Sequence, residues 1–548
     1  MSTSPVEGAP RMGARPAVSS VVLNLLVAVW ILLVANASFW RRLVEIFGDR
    51  PLAMVTFAGA VLALMMLVFS LLAVRWLQKP VLIALIVIAA VASFYTDRLG
   101  VLIDRDMIQN ALTTTVNEGK HLITGDLTLH VALRAVPGIA LVLWLRVTRR
   151  PRLRAALGWA GMVAGSFALM AGLLFTDLKS FSTVLRGRKD LMGSVQPLAP
   201  MAGALRYARM MVKTAKIEAA PFGRDARKGA RIEGMDKPVL MVIVAGETAR
   251  AQNWSLGGYG RDTNPELAKR DIVYFSDVTS CGTATATSLP CMFSHLTAAD
   301  YSYAGGLGSE NLLDVLSHAG VHVEWWDNNT GSKDMANRVA FRYMAAEDDP
   351  ASCARGECID AVFLPRLRQV AETMTEDTVI VLHQIGSHGP SYWMRYPEDQ
   401  EVFAPACKSP ELTQCSTEEI VNAYDNTIRY TDRFLAEVID LLEASDRVAG
   451  AMYYVSDHGE SLGENGIYLH GTPMFMAPEV QYKVPMVVWT SAAWREGMQV
   501  DPACLAARAG QPVSHDHLFS TVLGMMDIAT ETRDPALDLV QACPAPPS

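Results

Sequence analysis

The sequence predicts two regimes in one chain: an N-terminal domain of five transmembrane helices and a C-terminal α/β domain with a mainly parallel sheet. Three observations carry this expectation. Apolar runs of about 20 residues, long enough to cross a hydrocarbon core of about 30 Å as helices, are confined to residues 18–177. All eight cysteines fall after residue 280. From residue 237 onward, short β-branched runs alternate with helical stretches, the pattern of a sheet with crossover helices. With 51% hydrophobic and 19% charged residues over 548 positions, the chain is too long for one ordinary domain and too apolar for a wholly soluble protein.

The five spans are read at Val18–Trp40, Pro51–Val74, Val81–Tyr95, Leu127–Val147 and Ala155–Phe175. Loop charge sets their direction, because Lys and Arg in short loops stay on the cytoplasmic side. One set of alternate loops carries Arg11, Arg15, Arg75, Lys79, Arg146, Arg149, Arg150, Arg152 and Arg154, whereas the other carries only Arg41, Arg42, Arg50, Arg98, Arg105 and Lys120. The N-terminus is therefore expected inside and, after five crossings, the large domain outside. Cysteine placement agrees, since disulfides persist only in an oxidising compartment. The first run ends near Ala35-Asn36-Ala37, as a cleaved signal peptide would, but it is long for one and four more spans follow. It is read as retained.

Residues 1–177 are thus assigned to the membrane domain, 178–236 to an interfacial linker, and 237–548 to a large outer domain. Within the linker, Ala202–Ile217 reads as a helix. Its Arg206, Arg209, Lys213 and Lys216 suit either lipid headgroups or plain solvation. The net charge of -8 and the lack of a basic stripe in the outer domain exclude a nucleic-acid binder.

In the outer domain four runs pass from apolar residues straight into ionisable ones: VLMVIVAGE (239–247), VHVEWWDNN (321–329), TVIVLHQIGSHG (378–389) and AMYYVSDHGE (451–460). Ligands bind outside the carboxyl ends of parallel strands. Glu247, Asp327, Asn328, Asn329, His383, His388, Asp457 and His458 are therefore expected along one edge. Glu247, Asp457 and His458 offer two carboxylates and an imidazole, a set suited to zinc or manganese. A metal would also activate a hydroxyl nucleophile. SCGTATATSLPC (280–291) supplies four: Thr283, Thr285, Thr287 and Ser288. These residues alone do not choose among them.

The eight cysteines, Cys281, Cys291, Cys353, Cys358, Cys407, Cys415, Cys504 and Cys543, are even in number, and the first six form close pairs, so neighbour pairing is expected. No CxxC spacing favours a metal site instead. His388 and His470 each precede a glycine, which lets backbone approach closely. Either could bind a phosphate oxygen or protonate a leaving group. His515 and His517 are read as structural.

The segments GETARAQNWSLGGYGRDTNPEL, SCGTATATSLPCMFS, WWDNNTGSKD, HQIGSHGPSYWMRYP and YVSDHGESLGENGIYLHG resemble those of the lipid A phosphoethanolamine transferases, the family that includes transferable colistin-resistance enzymes. The resemblance covers nearly the whole chain. It implies an outer domain of the alkaline phosphatase and sulfatase-like fold, with zinc held by Glu247, Asp457, His458 and the nucleophile Thr285. It implies further that His388 and His470 surround the transferred phosphate, that Asn329 and Lys333 hold the phosphoethanolamine group, and that Asn110 and Glu118 sit in an outward loop near the lipid headgroup.

The implied reaction moves phosphoethanolamine from phosphatidylethanolamine to a lipid A phosphate through a phospho-threonine, giving resistance to polymyxins. The implied setting is a monomer in the inner membrane of a Gram-negative cell. A core sugar as acceptor is the nearest alternative. A membrane-tethered phosphodiesterase or sulfatase-like hydrolase is another, although SCGTATATSLPC lacks the Arg of the sulfatase C/S-x-P-x-R setting.

Overall fold

The computed structural model describes residues 15–72, 76–113, 116–148, 151–353, 355–541 and 543–544, with the side chains of 116–118 excluded. Arg11, Arg75, Arg149, Arg150 and the side chain of Glu118 lie outside the described residues. The chain falls into two compact units. One comprises residues 1–98, 102–104 and 125–202, and the other residues 99–101, 105–124 and 203–548.

The helices of the first part of the chain are α1 (Ser20–Val34), α2 (Ala37–Phe47), α3 (Pro51–Leu72), α4 (Gln78–Arg98), α5 (Arg105–Thr113), α6 (Val116–Leu122), α7 (Gly125–Trp144) and α8 (Arg152–Phe175). Of these, α3, α4, α7 and α8 are each long and apolar enough to cross a membrane. The first expected span, Val18–Trp40, is not one straight helix: α1 and α2 meet at 74°. Asn36 explains the break. Its side chain donates to the Ile31 carbonyl at 2.9 Å and the Gln196 carbonyl at 3.1 Å, and accepts from the Gln196 N–H at 2.7 Å. An Asn that bonds backbone in this way competes with the helical ladder. Counting the bent pair as one span gives five.

The third span is longer than its apolar run, reaching Arg98, because a helix continues past the apolar stretch while its polar residues find water or partners. The linker helix, α9, spans Leu198–Thr214, beginning four residues before the expected Ala202.

The second unit is built on an eight-stranded sheet. Its strands are β1 (Val239–Gly246), β2 (Val273–Thr279), β3 (His322–Asp327), β4 (Ala340–Tyr343), β5 (Thr378–His383), β6 (Ala449–Ser456), β7 (Lys483–Thr490) and β8 (Val513–Ser514). They lie in the order β8-β2-β7-β6-β1-β5-β3-β4. β7 runs antiparallel to both neighbours, and the block from β6 to β4 is parallel throughout.

All eight residues of β1 are buried. Val239, Met241, Ile243 and Ala245 enter one core, while Leu240, Val242 and Val244 enter another on the opposite face. This period of two with both faces apolar is what a sheet covered on both sides requires. Two helices matter for the site: α10 (Thr285–Met292) and α11 (Thr417–Glu443). A capping box between Ser416 and Glu419 starts α11. The long helix packs Ile420, Tyr424, Ile428 and Leu435 into the second core. Four disulfides join Cys281–Cys291, Cys353–Cys358, Cys407–Cys415 and Cys504–Cys543.

Candidate active site

Parallel register brings the strand ends together. Ala245 pairs with both His383 and Val455, Gly246 with Ser456, and Asp327 with His383. The residues that follow, Glu247 after β1 and Asp457 and His458 after β6, therefore emerge side by side, and all three are buried. One donor atom from each lies within 4.8 Å of the others.

The turn after β1 is held under strain. Thr248 has φ 59°, the left-handed region that a β-branched residue avoids. It is fixed on three sides: its N–H donates to Asp457 Oδ1 at 3.2 Å, its carbonyl accepts from Tyr424 Oη at 2.8 Å, and its hydroxyl donates to Glu247.

Thr285 is the first residue of α10, so its hydroxyl sits at the positive end of that helix. Its Oγ1 lies 3.1 Å from Glu247 Oε2 and 3.2 Å from His458 Nε2. The other hydroxyls of the loop do different work. Thr283 donates to the Thr472 carbonyl at 2.7 Å, and Ser288 donates to the Asp457 carbonyl. The Thr287 side chain packs over Gly282. His515 supports the same loop, accepting from the Cys281 N–H at 3.1 Å while its Nε2 meets the Ser456 carbonyl at 2.9 Å.

The donor set fits a cation. His458 Nδ1 faces the Gly459 carbonyl at 2.8 Å, which places a proton on Nδ1 and leaves the Nε2 lone pair directed at the carboxylates. That nitrogen lies 3.5 Å from Glu247 Oε1 and 3.5 Å from Asp457 Oδ2. Asp457 Oδ2 is buried without a hydrogen bond. Two carboxylates and an imidazole lone pair converging in a buried pocket repel one another unless a metal ion compensates them. Burial and the Glu247 charge both push the Asp457 pKa up. For Glu247, burial opposes ionisation, but His458, His388 and His470, when protonated, overcome it and hold the carboxyl well below its ordinary range.

Around this centre stand residues that position others. Asn329 donates to Glu247 Oε2 and to the Gln384 carbonyl, each at 2.8 Å. Asn329 is itself placed by Asp327, whose Oδ1 accepts from the N–H groups of Asn329 and Gly331. Asp327 also pairs with His383 at 2.8 Å. Those two strand-end residues thus satisfy each other beside Glu247, Asp457 and His458.

His470 Nδ1 meets Glu460 Oε2 at 2.9 Å, and Tyr392 Oη donates to the other Glu460 oxygen at 2.7 Å. Burial would lower the His470 pKa, but Glu460 outweighs it and raises the value. The His470 ring centre lies 4.4 Å from that of His458 and 5.4 Å from that of His388. The His388 carbonyl is held by Arg395 Nε at 2.9 Å, and Arg395 pairs with Glu357 at 2.6 Å. Lys333, at φ 49°, donates to the Thr330 carbonyl at 2.9 Å.

The segment that carries Asn110 packs within this unit. Helix α5 lies against α10, the Met107 side chain fills the space beside Gly471, and His121 Nε2 meets Glu357 Oε1 at 2.9 Å. Sequence reasoning expected this stretch to be an outward loop and did not anticipate its two helices. It also passed over Thr248, Glu460, Asp360 and Arg395. Glu460 carried a signal, an acid two residues after the candidate ligand in SDHGE. Asp360, which accepts from the Ile385 and Gly386 N–H groups, carried none.

A mainly parallel sheet with buried carboxylates, an imidazole and a hydroxyl at its carboxyl edge defines an enzyme of the sulfatase-like fold with a candidate metal site, and residues 240–528 match the Sulfatase family. Residues 61–211 match the family described as Phosphoethanolamine transferase EptA/EptB. The chain belongs to the phosphoethanolamine transferases. It is 36% identical over 543 residues to "Phosphoethanolamine transferase EptA" of Salmonella typhimurium, covering 96% of this chain and 98% of that one. It is also 36% identical over 531 residues to "Phosphatidylethanolamine transferase Mcr-1" of Escherichia coli, covering 94% and 96%. Among solved structures, the integral membrane protein lipooligosaccharide phosphoethanolamine transferase A from Neisseria meningitidis superposes with a TM-score of 0.92 at 34% identity, covering 97% of this chain and 100% of that one.

Proposed function

We propose that this enzyme moves phosphoethanolamine from phosphatidylethanolamine to a phosphate of lipid A at a zinc site, by way of a phospho-threonine on Thr285. The observation that carries this reading is the Thr285 hydroxyl at the N-terminus of α10, 3.1 Å from Glu247 and 3.2 Å from His458 inside a buried ligand cluster. Glu247, Asp457, His458 and Thr285 would hold the ion, whose ligand types and closed, buried setting suit zinc. Bound there, zinc supplies positive charge that lowers the pKa of a hydroxyl and stabilises negative charge developing on phosphate oxygens.

Thr285 releases its hydroxyl proton to solvent, from which His470 is reprotonated after each turnover, and attacks the donor phosphorus; an Oγ–P bond forms, and the P–O bond to the glycerol breaks. The departing diacylglycerol oxygen takes a proton from His470, whose other nitrogen is anchored on Glu460 and whose affinity for a proton is raised by it. An acceptor phosphate oxygen then attacks the same phosphorus. The P–Oγ bond breaks, and the proton lost by the acceptor returns to the threonine. His388 flanks the transferring group, while Asn329 and Lys333 hold the phosphoethanolamine. Asn110, on the segment beside α10, meets the lipid substrate, and Glu118 is assigned to the same role.

In this reading residues 1–177 anchor the enzyme in the inner membrane, residues 178–236 lie at its surface, and residues 237–548 work in the periplasm. Modification of lipid A lowers its negative charge and would confer polymyxin resistance. The relatives' printed names support the transfer, and lipid A appears in "Kdo(2)-lipid A phosphoethanolamine 7''-transferase" of Escherichia coli, 28% identical to this chain.

Expression of Thr285→Ala at wild-type level is expected to abolish the phosphoethanolamine mass increment on extracted lipid A. Survival of that increment would overturn the nucleophile. In wild-type cells, unmodified lipid A beside a modified core sugar would reject the acceptor and keep the reaction.

A further inference from the structure

The end of the membrane bundle formed by the start of α1, the start of α4, the end of α7 and the start of α8 contains a cavity of about 860 Å³. Lys79, Arg146, Arg152 and Arg154 line it. No Asp or Glu occurs in residues 15–24, 76–79 or 146–162, which supply the whole lining. The Lys79 ammonium is fixed by the Leu145 carbonyl at 2.6 Å, so one charge is held at the rim.

The floor is polar and uncharged. Ser20 Oγ donates to Gln78 Oε1 at 3.0 Å, and Gln78 Nε2 donates to Asn24 Oδ1 at 2.9 Å. These groups satisfy one another, which leaves the cations as the recognising elements.

One wall is apolar. Ala155, Gly158, Trp159 and Met162 of α8 face the cavity, and a side chain at Gly158 would find nothing within 4 Å. Helix α8 has no buried residue along its length. Trp159 is tied to the bundle by its indole N–H, which donates to the Ser70 carbonyl at 2.7 Å.

We propose that this cavity binds an anionic glycerophospholipid, with its phosphate among Lys79, Arg146, Arg152 and Arg154 and its glycerol and proximal acyl chain along the α8 wall. A cationic rim beside an apolar wall, both at the end of a membrane bundle, matches a lipid at each end. Basic pockets between transmembrane helices recognise acidic headgroups. A free phosphate would use only the rim. A zwitterionic lipid brings an ammonium into a cavity lined by four cations and is disfavoured. The site shares no residue with the transfer chemistry, and the bound lipid covers the side of α8 that faces the cavity.

The test uses the full chain purified in detergent, with dioleoylphosphatidylglycerol as probe and dioleoylphosphatidylcholine and sodium phosphate as controls. Lipid retention is read by native mass spectrometry and stabilisation by thermal unfolding. Phosphatidylglycerol is expected to be retained and to raise the Tm, and neither control is. The pair Arg152→Gln with Arg154→Gln is expected to weaken retention at least tenfold, and the pair Arg152→Lys with Arg154→Lys to preserve it. Gly158→Trp, which fills the cavity and leaves every charge in place, is expected to weaken it as well. Equal retention of phosphatidylcholine, an equal shift from phosphate alone, or unchanged retention in Gly158→Trp would overturn the site. The last result would mean that the arginines attract acidic lipid only as surface charge.

Discussion

Asn329 connects the ligand cluster to its support, because one amide spans Glu247 Oε2 and the Gln384 carbonyl. Replacing it by alanine frees a carboxylate that, in the proposed zinc site, must be aimed at the ion. Loss of such an orienting bond costs roughly 10- to 100-fold in metal affinity. Asn329→Ala should therefore need a correspondingly higher free zinc concentration for half-occupancy, measured by competition with a chromophoric chelator. An unchanged affinity would assign Asn329 to substrate alone.

Glu310 makes a separate prediction away from the site. Burial would raise its pKa, but the Phe222 N–H, His318 and Arg224 overcome that and hold it at about 2, against an ordinary 4.5. The folded value lies below the unfolded one, so its stabilisation is complete above about pH 4.5 and is lost as pH falls toward 2. The Tm gap between wild type and Glu310→Gln should be constant near pH 5 and close on acidification. A gap independent of pH in that range would contradict the assignment. At this scale the sequence was partly legible. SDHGE and GET marked the strand-end donors, since ionisable residues directly after buried strands have few other reasons to be there. Nothing local revealed that Asp327 and His383 would pair with each other, because that depends on register between β3 and β5.

Among the elements, α1 and α2 show how one polar residue redirects a long apolar run. Hydropathy gave a single span, and Asn36 divided it by bonding Gln196 more than 150 positions away, at 2.7 and 3.1 Å. Asn36→Leu would leave the buried Gln196 N–H unsatisfied. Destabilisation of about 2 kcal/mol is expected, the cost of an orphaned buried donor with its lost bonds, read from thermal unfolding in detergent. No change in Tm would show that the bend has another origin. Four of the eight strands, β1, β3, β5 and β6, were legible because they are short apolar runs that end in ionisable residues, whereas β2, β4, β7 and β8 were not, and β4 is exposed at all four residues. Helices α5 and α6 were not, because 105–124 is polar and takes its form from packing against α10 and the turn at Gly471.

Across the catalytic unit, two loops from separate strands and a helix terminus converge on one cluster. An ion held there links segments far apart in sequence, and a ligand that binds only the folded state stabilises it. Stripping divalent metal with a chelator should lower the Tm of this unit within the full chain. Zinc should restore it, and magnesium, which prefers an all-oxygen octahedral shell, should not. Equal restoration by magnesium would argue against a site that uses His458.

By itself the sequence determined where the chain is apolar enough for a membrane, that the outer domain is α/β, and which donors sit at strand ends. These are properties of runs and periods, which local composition carries. Composition and spacing left four hydroxyls open in SCGTATATSLPC and the resemblance pointed to Thr285, but only the tertiary structure sets that hydroxyl against Glu247 and His458. Thr283, Thr285, Thr287 and Ser288 are chemically near-equivalent, and what separates them is the direction each takes once α10 begins at Thr285 and the register of β1 with β6 has set the ligands in place.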